Sequence, residues 1–164
     1  MVSGNIALKQ AAILGADQGT QAAVAWLETS NVGATLQTTN STMGYFSSLA
    51  LPDPDWFQDS TWTDARQINS GVADVAGNKL SYLIHRQCKL PDLAYDGISA
   101  GVPNNCSAID ESAGGSAVTE GDSNRAGVGG AFARSKKVYY RITTRVQGPR
   151  NSVSIIQTTV SLQA

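Results

Sequence analysis

The chain has 164 residues and a mass of 17.2 kDa, enough for one domain with a sizeable core. Hydrophobic residues make up 41% and charged residues only 15%, below the quarter usual in globular chains, and Ser, Thr, Asn, Gln and Gly fill the gap. A net charge of -1 without a basic run excludes an electrostatic grip on nucleic acid, and residues 22–27, the longest near-apolar stretch, fall far short of the ~20 that span a bilayer. No secretory leader is visible, and MVSG reads as an expression start, so an upstream segment is expected to have been cut away.

Residues 5–29 read as one long helix. Ser3 or Asn5 can cap its start, and seven alanines between Ala7 and Ala25 supply helix propensity. Ile6, Ile13, Ala16, Thr20, Ala23, Val24 and Leu27 recur at helical spacing and define the face expected to pack on a sheet. Ser30, Asn31 and Gly33 supply the stop. A helix of that length is about 37 Å long, so its first turns should overhang a small sheet.

Residues 34–76 are ambiguous: TLQTTNSTMGYF could hold a strand or irregular chain, and LPDPDWFQDSTWTDAR, with two prolines, four aspartates and the aromatics Trp56, Phe57 and Trp62, reads as a loop with a short helical turn. Residues 78–88, NKLSYLIHRQC, read as a strand in which Leu80, Tyr82 and Ile84 alternate with Ser81, Leu83 and His85. Residues 89–135 are rich in Gly and Ser and predict a long surface loop. The clearest signal closes the chain. Val138, Tyr140, Ile142, Thr144 and Val146 share one face of a strand, and Tyr139, Arg141, Thr143 and Arg145 the other. Gly148 to Asn151 make the turn, and Ile156, Val160 and Leu162 share one face of the return strand. One face inward and one wet is the pattern of an antiparallel sheet packed on a single helix, which makes the fold α+β. The packing residues on the sheet side are expected to be Val138, Tyr140, Ile142, Ile156 and Val160.

Little of this suggests catalysis. His85 is the only histidine; it sits mid-strand without a nucleophile motif, and reads as a surface or hydrogen-bonded strand residue. The chain is therefore expected not to be an enzyme, and no cofactor is expected. Asp53, Asp55 and Asp59 are weak candidate calcium ligands, since hard oxygens on a loop suit calcium, but they miss the twelve-residue pattern, and solvated loop acids are the plainer reading. Trp56, Phe57 and Trp62 offer a sugar-stacking platform or, more simply, a plug at the end of a core. Gly127 to Gly130 lack the spacing and preceding strand of a phosphate cradle. Cys88 and Cys106 favour a disulfide over free thiols, closing a loop of about 19 residues and contributing roughly 3 kcal/mol in the chain-entropy picture. That bond implies an oxidising compartment.

Three stretches together, ALKQAAILGADQGTQAAVAWL, GNKLSYLIHRQC and VYYRITTRVQGPRNSVSIIQTTV, resemble the PilX-like minor pilins of bacterial type IV pili. The likeness covers roughly 55 residues, in the family's order, and leaves out the middle of the chain. Family members start with a short leader and an apolar half-helix carrying a Glu near its start; neither is present here. The resemblance implies a pilin-like fold. In it residues 5–29 are the C-terminal half of the helix, residues 30–164 the globular part with a disulfide-bound variable region, and residues 1–4 a non-native start.

It also implies a structural role. Such subunits sit in the inner membrane with a periplasmic domain and then enter the extracellular pilus. They join other minor pilins and the major pilin in a complex that primes assembly. A place at the tip beside an adhesin, and roles in adhesion or aggregation, belong to the same implication. Fibre packing through the upstream half-helix makes a monomer the expectation for the chain as given. The alternative is an extracytoplasmic module that binds calcium or a glycan through the loops around Trp56 or Gly127.

Overall fold

The computed structural model describes residues 2–111 and 135–164. One helix, α1 (Val2–Ser30), lies across a mostly antiparallel sheet, giving an α+β fold with one disulfide. The helix includes Ser3 and Asn5, so neither caps its start. At the other end the Thr29 hydroxyl donates to the carbonyls of Ala25 and Trp26, both at 3.0 Å, and Gly33 at φ +57° turns the chain away.

The strands are β1 (Tyr45–Phe46), β2 (Arg66–Gln67), β3 (Lys79–Arg86), β4 (Ile98–Ser99), β5 (Val102–Pro103), β6 (Ala108–Glu111), β7 (Ser135–Gln147) and β8 (Val153–Gln163). β7 is central. It pairs antiparallel with β3, β6 and β8, while β3 also takes β1 in parallel and β2 antiparallel; β4 and β5 form a separate small ribbon. The hairpin β7–β8 turns through Pro149–Asn151, with Arg150 and Asn151 in the left-handed region. β6 and the β4–β5 ribbon lie in the segment expected to be loop. Short strands recruited by a neighbour's edge carry too few residues to show an alternating pattern.

The helix and sheet meet along a face of small residues. Ala16, Ala23 and Leu27 are fully buried, against Leu80, Tyr82 and Ile84 of β3 and Val138, Tyr140, Ile142 and Val146 of β7. Val24 and, from β8, Ile156, Val160 and Leu162 are half-buried against this core. The Thr20 and Thr144 hydroxyls are 3.3 Å apart across the seam. Ile13 stands apart from the expected stripe: it is 54% exposed, as is Ile6 at 52%. The buried face is centred on Ala12, Gly15, Gly19 and Ala23, and Ile13 sits about a quarter turn round the helix from it. Gly15 and Gly19 set that centre. A β-carbon at Gly15 would come 2.9 Å from the movable tip of Leu80, Cδ2, whereas one at Gly19 would come 2.4 Å from Cγ2 of the buried, β-branched Thr144, so the tighter constraint is at Gly19.

The second face of the sheet is not wet. Leu83, His85, Thr143 and Arg145, which point away from α1, are 2%, 7%, 0% and 5% exposed. The chain after β1 folds over them, and the candidate site lies in this layer.

Candidate functional site

Arg141 and Arg145 lie two strand repeats apart on the same face of β7, and His85 of β3 is in register with Arg141. Residues 51–65 lay aromatic rings and carboxylates onto this row. Trp56 stacks beside Arg141, whose guanidinium carbon is 5.4 Å from its ring centre, and Trp62 does the same for Arg145 at 5.5 Å. Trp56 and Trp62 touch edge to face at 5.9 Å, and the Trp62 indole N–H donates to the Trp56 carbonyl at 2.8 Å. Asp53 Oδ1 is 2.9 Å from Arg141 Nη2, an ion pair without hydrogen-bond alignment, and Asp59 pairs with Arg145. Two cations on a central strand thus receive a ring and a carboxylate each, which is how buried guanidinium is tolerated.

His85 is enclosed between rings. Phe46 stacks on it at 5.0 Å and 9°, and Trp56 meets it edge-on at 6.0 Å. Its Nδ1 is buried without a hydrogen-bond partner, and at 7% exposed the residue does not lie on the surface. Burial, reinforced by the neighbouring Arg141 charge and opposed by Asp53, pushes its pKa down to about 4. The ring is neutral at physiological pH.

The three calcium candidates do not converge. Asp53 and Asp59 serve different arginines, and the Asp55 carboxylate accepts the Phe57 amide at 3.0 Å, a local turn. Among the described residues no group of three or more His, Cys, Asp or Glu is placed to hold a metal ion. Carboxylates so close to fixed cations are satisfied by them, which is the physical reason. Of the expected sugar platform, Trp62 is buried, Trp56 is half-buried with its ring used inside the layer, and only Phe57, 71% exposed, presents a ring to solvent. Gly127 lies outside the described residues.

A second ordered region surrounds the disulfide. Cys88 and Cys106 are bonded, and Cys88 belongs to the core packed under Leu27 and Tyr45. Asn104, 5% exposed, holds the enclosed loop in shape: it accepts the Leu90 amide and donates to the Ala94 carbonyl, both at 2.9 Å. Arg86, 3% exposed, donates to the Leu93 carbonyl at 2.8 Å. The Asp92 carboxylate accepts the Thr39 amide at 2.7 Å and the Ser47 hydroxyl at 3.0 Å, which holds it below the usual carboxylate range. Arg86 thus ties the loop to β3, and Asp92 ties it to Thr39 and Ser47 before and after β1.

Comparison of the chain with protein-family models, curated proteins and solved structures gives no match in any of the three.

The sequence reading missed the Arg–Trp layer and the glycine seam. A signal for the first was available: two arginines on one face of the long strand that carries the core on its other face demand a cover, and the loop with Asp53, Trp56, Asp59 and Trp62 is chemically suited to give one. For the second, Gly15 and Gly19 stand at i, i+4 within an alanine-rich helix, a spacing that flattens one face.

Proposed function

We propose that this chain is a structural, non-enzymatic subunit of a bacterial type IV pilus, a PilX-like minor pilin. The observation that carries the reading is the division of α1. From Gly15 to Leu27 its small face is sealed onto β3, β7 and β8, while Ile6, Ile13 and Leu14 are left 52%, 54% and 70% exposed. A helix anchored by one half and apolar on the other suits a subunit that offers its rod to neighbours. The oxidised cysteine pair fits an extracytoplasmic setting. In this reading the neighbours are other minor pilins and the major pilin, and the globular part faces out beside a tip adhesin.

The test is genetic. Deleting the gene in its host is expected to reduce surface pili sharply, with recovery when the full gene is restored. Pili unchanged in number and length after verified loss of the protein would contradict the proposal. The ligand-binding alternative predicts a different result on the purified chain. There the melting temperature should be the same in excess calcium and in EDTA, because Asp53 and Asp59 are already paired; a rise with calcium would favour the alternative.

A further inference from the structure

Among the described residues, β8 is an edge strand of the six-stranded sheet. It pairs with β7 from Val153 to Gln163 in unbroken register, and no described strand lies on its other side. Such an edge presents a row of N–H and C=O groups ready to accept another strand. Native sheets usually blunt it with lysine, proline, a bulge or a very short strand. VSIIQTTVSLQ contains no charged residue, no proline and no bulge. The opposite side of the sheet is handled otherwise: among the described residues, the strands on the outer side of β3 are the two-residue β1 and β2. The lack of protection is therefore specific to β8.

We propose that β8 is an interface whose occupant is β8 of a second copy of this chain, paired antiparallel about a two-fold axis through Thr158. The strand is self-complementary in that register. On the helix side Ile156 of each copy meets Val160 of the other, and Thr158 meets Thr158; on the other side Gln157 meets Thr159. Pairs of β-branched residues directly opposite one another are favourable, and no like charges are brought together. Ile156 and Val160 are only half-buried in the single chain, so pairing completes their cover. Both copies keep α1 on the same face of a continuous sheet. The expectation of a monomer counted only the helix as a means of association; the sheet edge is a second one. This inference does not depend on the pilus reading.

One strand edge buries less than the roughly 1,200 Å² of a stable interface, so the pair is expected to be weak and concentration-dependent. Sedimentation equilibrium between about 10 μM and 1 mM, spanning the range expected of weak pairs, should show the mass climbing from 17.2 kDa toward twice that value. The double substitution Gln157→Glu with Thr159→Glu sets like charges against each other across the axis. Both positions are exposed, residue 159 faces Arg141 of its own β7, and the Thr143 hydroxyl, which accepts from the Gln157 amide at 3.2 Å, can donate to a carboxylate there instead, so the fold tolerates the change. That variant should melt as the parent does and stay at 17.2 kDa throughout. Amide exchange gives a readout without any substitution: the outward amides of β8 should slow as the parent protein is concentrated. A parent that stays monomeric, a folded double variant that associates as the parent does, or β8 exchange independent of concentration would each overturn the proposal.

Discussion

Replacing Gly19 with leucine is expected to cost about 3 kcal/mol, a fall in melting temperature of roughly 10 °C for a chain of this size. The substitution favours the isolated helix, since glycine is the poorest former after proline, by about 1 kcal/mol relative to alanine. The packing term opposes it and wins. A β-carbon on residue 19 would lie 2.4 Å from Thr144 Cγ2 and 3.3 Å from Thr144 Oγ1, and Thr144 is fully buried. The β-branched threonine is stiff at χ1 and enclosed on all sides, so making room for the new side chain disturbs its packing. The gentler Gly19→Ala isolates the cause. Alone it should destabilise, whereas in a Thr144→Ala background it should be neutral or stabilising, leaving a coupling of about 1–2 kcal/mol in the double-mutant cycle. Additive effects, measured by chemical denaturation, would show that the helix does not approach the sheet at this point.

The second large effect is a loss of stability in mild acid. His85 has its pKa lowered to about 4 in the folded chain from 6.5, so between those values the unfolded chain holds more protons. The stabilisation is fully present above pH 6.5 and is lost progressively as the pH falls toward 4. Two and a half pH units correspond to roughly 3 kcal/mol at the lower limit. Asp74 and Asp92, both held below the ordinary carboxylate value of 3.8 by backbone hydrogen bonds, lose their contributions only at lower pH, which separates the two effects. His85→Phe keeps a ring between Phe46 and Trp56 but cannot titrate. Its stability should be nearly flat from pH 6.5 to 4.5, whatever its absolute value; a slope as steep as the parent's would mean that another group is responsible.

The layers of the fold were legible to different degrees, for physical reasons. The alanine-rich helix and the terminal hairpin showed themselves because their periods, 3.6 and 2, repeat for long enough to be read. Cys88 and Cys106 paired in the structure as expected. Ile13 was placed on the packing face because large apolar side chains were weighted above small ones, whereas the closest approach of α1 to the sheet is made by glycine and alanine. The cover over Arg141 and Arg145 joins residues more than eighty positions apart, and no local pattern carries that information. Asp53 and Asp59 illustrate the consequence: as sequence they looked like loop carboxylates available to a cation, and in the fold the cations are arginines.

The central claim is that α1 is locked to the sheet by one half and free along the other. Amide hydrogen exchange along the helix tests it most directly. Residues 16–28 should be protected to nearly the global stability, while residues 6–12 exchange many times faster through local opening. Uniform protection along the whole helix, or fast exchange between residues 16 and 28, would contradict the account.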